Sequence, residues 1–178
     1  SIRDVIIKDN DLAVATHGRG FWIFDDISPL RQINEEVIKH NYLFKPATGL
    51  RVRWNLNTDT PLPPDEPAGQ NPPDGAIIDY YLKGNSNDEV TLNILDAKGN
   101  MVRHYSSNDT LYKIPEVDIP LYWIRPQEIL SAKEGPHRFV WDLHYTPLNI
   151  PPSYPIAAIY KNTVPEPTSP WIMPGTYK

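Results

Sequence analysis

Residues 11–26 read DLAVATHGRGFWIFDD, two runs of alternating apolar residues on either side of THGRG. Taken as strand, turn and strand, the stretch commits the chain to an antiparallel meander. Taken as a loop, THGRG offers a histidine and an arginine to a ligand. The turn reading is preferred, because Gly18 and Gly20 supply the backbone angles of a tight reversal. His17 or Arg19 then ties neighbouring loops together. The ligand-binding alternative rests on three residues, His17, Arg19 and Asp25. Arg19 carries a planar, permanently charged fork suited to carboxylate or phosphate, and glycine-flanked backbone exposes N–H groups to an anion.

Working outward, residues 3–9 (RDVIIKD) read as a preceding strand and Asn10-Asp11 as the turn into LAVAT. Three short strands alone bury too little to be stable, so the piece must pack against something else. After it, DISPLRQINEEVIKHN suggests a short helix or helical turn. Ser28 is its expected N-cap, Pro29 suits the first helical position, and Leu30, Ile33, Val37 and Ile38 form a short apolar stripe. NYLFKPATGLRVRW reads as extended. Residues 55–75 are dense in proline and poor in large apolar groups, which predicts a linker or long surface loop and a domain boundary within 40–75.

The remainder is read as more strands. GAIIDYYLKG is followed by the polar NSNDE turn, then VTLNILDAKG with Val90, Leu92 and Ile94 on one face, then GNMVRHYSS after a Lys98-Gly99-Asn100 turn. Two or three adjacent antiparallel strands are expected there. HRFVWDLHY alternates again, with Phe139, Trp141 and Leu143 on one face and Trp141 as a core anchor. A proline-rich loop is read over 146–170. The closing PGTYK reads as the start of a strand, and with the abrupt opening strand it suggests a fragment.

Composition narrows the classes. The 178 residues are 40% hydrophobic, enough for a packed core, and the formal net charge is −5 with no basic block. That balance lacks the electrostatic footprint of a nucleic-acid binder. No apolar run approaches the ~18 residues of a membrane span, and SIRDVIIKDN lacks the pattern of a signal peptide. A soluble chain without membrane insertion is expected. There is no cysteine, so disulfides, thiolate metal sites and cysteine nucleophiles are excluded. Twenty prolines argue against long helices and for an all-β protein with stiff connections.

At this point a resemblance carries further. DLAVATHGRGFWIFDDISPLRQ, residues 11–32, resembles the closing segment of bacterial β-propeller proteins of the sortilin-like or BNR-repeat class, often labelled glycosyl-hydrolase-like. GAIIDYYL, VTLNILDAKGNMVR, HRFVWDLHY and PGTYK are similar to the immunoglobulin- or fibronectin-type β-sandwich that follows such propellers and occurs in the flagellar hook-capping protein. The resemblance implies an all-β fold: terminal propeller-blade strands over 1–30, a connecting helix and proline-rich linker over 31–75, and an incomplete immunoglobulin-like sandwich over 76–178. It implies upstream blades of the same parent chain as partners, and a secreted, periplasmic or cell-surface location. The chain departs from the family in lacking the Ser-x-Asp-x-Gly-x-Thr-Trp turn of BNR repeats and the arginine set of sialidases.

Catalytic signals are absent. Asp25 and Asp26 are adjacent, so on a strand they point to opposite faces and form no acid/base pair; capping the following turn is their expected role. The histidines at 17, 40, 104, 137 and 144 have no close metal-ligand spacing, and no metal or cofactor is expected. NSNDE and SSND at 106–109 carry oxygen ligands for calcium but do not fit the twelve-residue, helix-flanked loop pattern, so they read as solvated turns. No nucleophile elbow, phosphate loop or dinucleotide fingerprint occurs. The sequence thus suggests a non-catalytic accessory module. A carbohydrate- or peptide-binding module using exposed aromatics is the alternative, and a third reading has His17, Arg19 or Asp25 contributing to a hydrolase site completed by missing blades.

Overall fold

The structure, a computed structural model, describes residues 1–52, 62–85, 87–124, 126–151 and 167–178. The linker residues 53–61 and most of the expected proline-rich loop, 152–166 with Tyr154 and Tyr160, lie outside the described residues. In chain order the strands are β1 (Ile2–Lys8), β2 (Asp11–Thr16), β3 (Phe21–Phe24), β4 (Tyr42–Leu43), β5 (Ala76–Leu82), β6 (Thr91–Leu95), β7 (Met101–Ser106) and β8 (Gly135–Trp141). Two single 3-10 turns, Val37–Lys39 and Leu121–Trp123, are the only helical elements among the described residues. The protein is all-β in class.

The chain divides into two compact units. The first comprises Ser1–Arg51, Pro72–Asn87 and Ala132–Asp142; the second comprises Val52–Asn71, Asp88–Ser131 and Leu143–Lys178.

In the first unit, β1, β2 and β3 form an antiparallel sheet in that order. The two-residue loop Asp9-Asn10 closes the first hairpin, with Asp9 at φ 54°. Cross-strand register sorts the side chains into two faces. Val5, Val14 and Trp22 form one row and Ile7, Leu12 and Phe24 the next; on the opposite face, Ile6, Ala13 and Ile23 form a row beside Asp4, Ala15 and Phe21. The central rows of both faces are apolar, the second face also carrying Asp4 and the Lys8–Asp11 pair; every residue of β1 and β3 is exposed, with Phe21 at 81% and Trp22 at 61%.

A second antiparallel sheet of the same unit has the order β4-β5-β8. Alternation works there as strand physics requires: Ile78, Tyr80 and Leu82 of β5 are buried, as are Phe139 and Trp141 of β8. Ile78 lies directly opposite Phe139, and Ala76 opposite Trp141. Phe44, just past β4, is also buried and donates its N–H to the Asp79 carbonyl at 3.0 Å.

Between the two sheets of this unit the expected helix is reduced to turns. Leu30 N–H reaches the Ile27 carbonyl at 3.0 Å and Gln32 N–H that of Pro29 at 2.9 Å, followed by the single 3-10 turn at Val37. The reason is a missing surface: of the expected stripe only Val37 is buried, while Leu30, Ile33 and Ile38 face solvent. Ser28 is not the cap. Its own N–H donates to Asp26 Oδ1 at 3.0 Å, so Asp26 holds the turn.

In the second unit β6 and β7 pair antiparallel, closed by a turn at Asp96–Asn100. β5 was expected beside them; its partners are β4 and β8 instead. Residues 143–148 run antiparallel to 168–172 through Ile172 N–H to the Leu143 carbonyl (2.9 Å), Tyr145 N–H to Pro170 (3.1 Å) and Leu148 N–H to Thr168 (2.9 Å). Lys178 exchanges two hydrogen bonds with Leu95, at 2.7 and 2.8 Å, against the outer edge of β6. Among the described residues of this unit, Ile94, Val102, Leu130, Leu143 and Ile172 are the buried apolar ones.

Candidate functional site

His17 and Arg19 sit at the tip of the β2–β3 hairpin. Gly18 and Gly20 take φ of 85° and 69°, which any Cβ would strain. The tip is closed by Thr16, whose N–H (3.1 Å) and Oγ1 (2.9 Å) both donate to the Gly20 carbonyl. His17 N–H donates to the Ser1 carbonyl at 2.9 Å, and Trp22 Nε1 to the Arg19 carbonyl at 3.1 Å. The Thr16 and His17 N–H groups and the Arg19 and Gly20 carbonyls are thus spent on the turn and its flanks. The His17 and Arg19 side chains are exposed and make no hydrogen bond or ion pair among the described residues.

Asp25 lies at the other end of β3. Gly20 and the four residues of β3 separate it from Arg19, about 20 Å of extended chain. Paired carboxylates in glycoside hydrolysis stand only about 5–9 Å apart. His17 and Arg19 are thus brought together with each other and not with Asp25.

What does surround Asp25 is a joint centred on Arg138 of β8. Its guanidinium is bidentate on Asp79 of β5, Nε to Oδ1 at 2.9 Å and Nη2 to Oδ2 at 3.1 Å. Nη1 donates to the Asp25 carbonyl at 2.7 Å and Nη2 to that of Asp26 at 2.8 Å. The same group lies 5.0 Å from the centre of the Phe24 ring. A fork engaged on this many acceptors has little left for an anion.

Asp26 extends the joint. It is buried, holds φ at 53°, and donates its N–H to Asp11 Oδ1 at 3.0 Å. Ile27 N–H reaches the Asn10 carbonyl at 2.6 Å, and Arg31 Nη2 that of Asp9 at 3.2 Å. Capping chemistry at Asp25-Asp26 was legible in the sequence. Arg138 and Asp79 were not, because they meet only through the β5–β8 register, far apart along the chain.

Several other polar groups find partners nearby. Ser106 Oγ donates to Glu89 Oε1 and accepts from Asn108 N–H at 2.9 Å, while Asp109 Oδ2 accepts from Ser106 N–H at 2.8 Å. Glu89 and the SSND turn therefore meet at one end of the β6–β7 hairpin. His104 Nδ1 is hydrogen-bonded to Asn93 Oδ1 at 2.7 Å, and His137 Nε2 to the Lys133 carbonyl at 2.6 Å. Among the described residues no three His, Asp or Glu side chains are grouped to hold a metal ion, and no helix is long and apolar enough to cross a membrane.

Aromatic residues divide by burial. Tyr80 and Trp141 are buried, while Tyr122, Tyr145 and Trp171 are partly open. In the second unit the His144 and Trp171 rings lie 4.3 Å apart at 42°. No family model, curated protein or solved structure matches the chain.

Proposed function

We propose that this chain is a non-catalytic structural module at the C-terminal side of an exported β-propeller protein of the BNR or sortilin-like class. In this reading residues 1–30 supply strands of its last blade, and the strands from residue 76 onward belong to an immunoglobulin-like sandwich that buttresses it. Upstream blades of the same parent chain are the partners. The observation that carries the reading is the β1–β3 sheet, whose central rows are apolar on both faces. A sheet exposed on one side needs one polar face, whereas a sheet lying between two others reads apolar on both. Propeller blades are sheets of that second kind.

Hydrogen exchange on the chain as a dilute monomer tests this. Without its covers a three-stranded sheet is marginal, so the β1–β3 amides are expected to exchange much faster than those of β5 and β8. Equal protection in all these strands would sink the reading.

A second reading, binding of a carbohydrate or peptide, draws support from the His144–Trp171 ring pair, since exposed rings stack on sugars and on proline-rich segments. Tryptophan fluorescence titrations with an oligosaccharide panel and a proline-rich peptide test it. A response that disappears in Trp171→Ala supports it, and an unchanged spectrum throughout rejects it.

A further inference from the structure

The tip of the β2–β3 hairpin holds donors that the turn does not use. Among the described residues, the N–H groups of Gly18, Arg19 and Gly20 make no hydrogen bond, unlike those of Thr16 and His17 just before them. Gly18 and Gly20 are left-handed, at φ 85° and 69°, and Arg19 between them is not. Alternation of hand turns successive N–H groups toward one concavity, the arrangement by which a backbone holds an anion. A Cβ built at either glycine meets nothing within 4 Å, so the space beside these amides is open.

Positive charge gathers at the same end of the sheet. The His17 and Arg19 side chains, exposed and unpaired among the described residues, sit on the loop itself. Arg3, likewise exposed and unpaired, is the extra residue of the β1 bulge, between Ile2 opposite Thr16 and Asp4 opposite Ala15. Residues 1–4 and 15–22 contain a single carboxylate, Asp4, whose Oδ1 takes the Val5 N–H at 2.8 Å. In a chain of net charge −5, this end is locally cationic.

We propose that the THGRG tip binds a phosphoryl group, with the Gly18, Arg19 and Gly20 amides as its cradle and the Arg19 fork closing over it. Donor number selects the ligand. Three amides and a guanidinium with about five N–H groups exceed what two carboxylate oxygens accept, whereas a phosphate brings three terminal oxygens and nearly two charges. His17 and Arg3 add attraction at longer range. The site lies at the strand ends and on neither face of the sheet, so it is independent of what covers those faces and of the propeller reading. Solvent reaches and screens it, and its dissociation constant is expected to be on the order of 1 mM.

An NMR titration of the full chain with inorganic phosphate at fixed ionic strength is the test. The Gly18, Arg19 and Gly20 amide resonances are expected to move together and saturate, while those of β5 and β8 stay in place. Arg19→Gln alters an exposed side chain outside any strand; it should weaken binding about fivefold or more while the Gly18 and Gly20 amides still move in the same direction. Acetate should bind at least about fivefold more weakly than phosphate. Glucose 1-phosphate separates the two carriers of the group: tighter binding than inorganic phosphate assigns a sugar phosphate, and equal or weaker binding assigns free phosphate. Shifts that climb without saturating, shifts as large at Lys39 or Lys45 as at the tip, acetate binding as tightly as phosphate, or an unchanged affinity in Arg19→Gln would each overturn the proposal.

Discussion

Gly75, at φ 154°, shows how little of a residue's role is local. A Cβ built there would lie 2.2 Å from the Trp141 carbonyl oxygen. Gly75→Ala is expected to cost about 2–4 kcal/mol in a urea unfolding curve, through strain at a special backbone angle and a clash with β8. Gly84→Ala, with open space at the same construction, should stay within about 0.5 kcal/mol. In the sequence Gly75 is only the first residue of the GAIIDYYLKG strand, because the atom that forbids a side chain arrives from a distant strand. Asp96 is the opposite case, legible and local. Its carboxylate takes the Asn100 side-chain amide at 2.8 Å and the N–H groups of Asn100 and Lys98, both at 2.8 Å. The Asn100 side chain is the largest cause holding its pKa below the usual 3.8. A lowered folded value means that the stabilisation is complete above 3.8 and fades as pH falls through the folded pKa. In an NMR titration Asn100→Ala should move the Asp96 carboxyl back up toward its ordinary range.

At the scale of elements, alternation proved a good guide to where strands lie and a poor guide to what they pair with. Residues 2–8, 11–16 and 21–24 are strands as expected, since hairpin neighbours carry their own turn chemistry. The β5–β8 pairing spans a long insertion, and no periodicity records it. The stripe at residues 30–38 misled for a different reason: helical spacing stabilises a helix only where a surface receives it, and most of that stripe has none. The candidate site was half legible on the same grounds. The capping Asp26 follows from local turn chemistry, but the arginine that grips the Asp25 and Asp26 carbonyls follows from register. Arg138→Met keeps an aliphatic stem near Phe24 and leaves Asp79, whose side chain is only 13% exposed, without its cation. It should cost about 2–4 kcal/mol and speed exchange of the Asp26 and Ile27 amides. Arg138→Lys should fall between, because an ammonium cannot reproduce the fork.

For the molecule taken whole, β1 and β3 gather eight of the exposed large apolar side chains among the described residues. A dilute monomer is expected to enhance the fluorescence of an apolar-surface dye, and the Ile7→Lys and Ile23→Lys pair should together abolish most of that signal without altering the near-ultraviolet circular dichroism of Trp141. A dye response unaffected by both changes would locate the open surface elsewhere. The Arg138 joint has a mechanical meaning as well. Tension applied at Ser1 passes along β1–β3 to Phe24 and the two aspartates after it. From there it crosses to β5 and β8 through one guanidinium as well as along the main chain. Four hydrogen bonds loaded together resist far more than the same four opened in turn, so the joint acts as a rivet. Under a steady pull the first sheet should unravel while the rivet still holds.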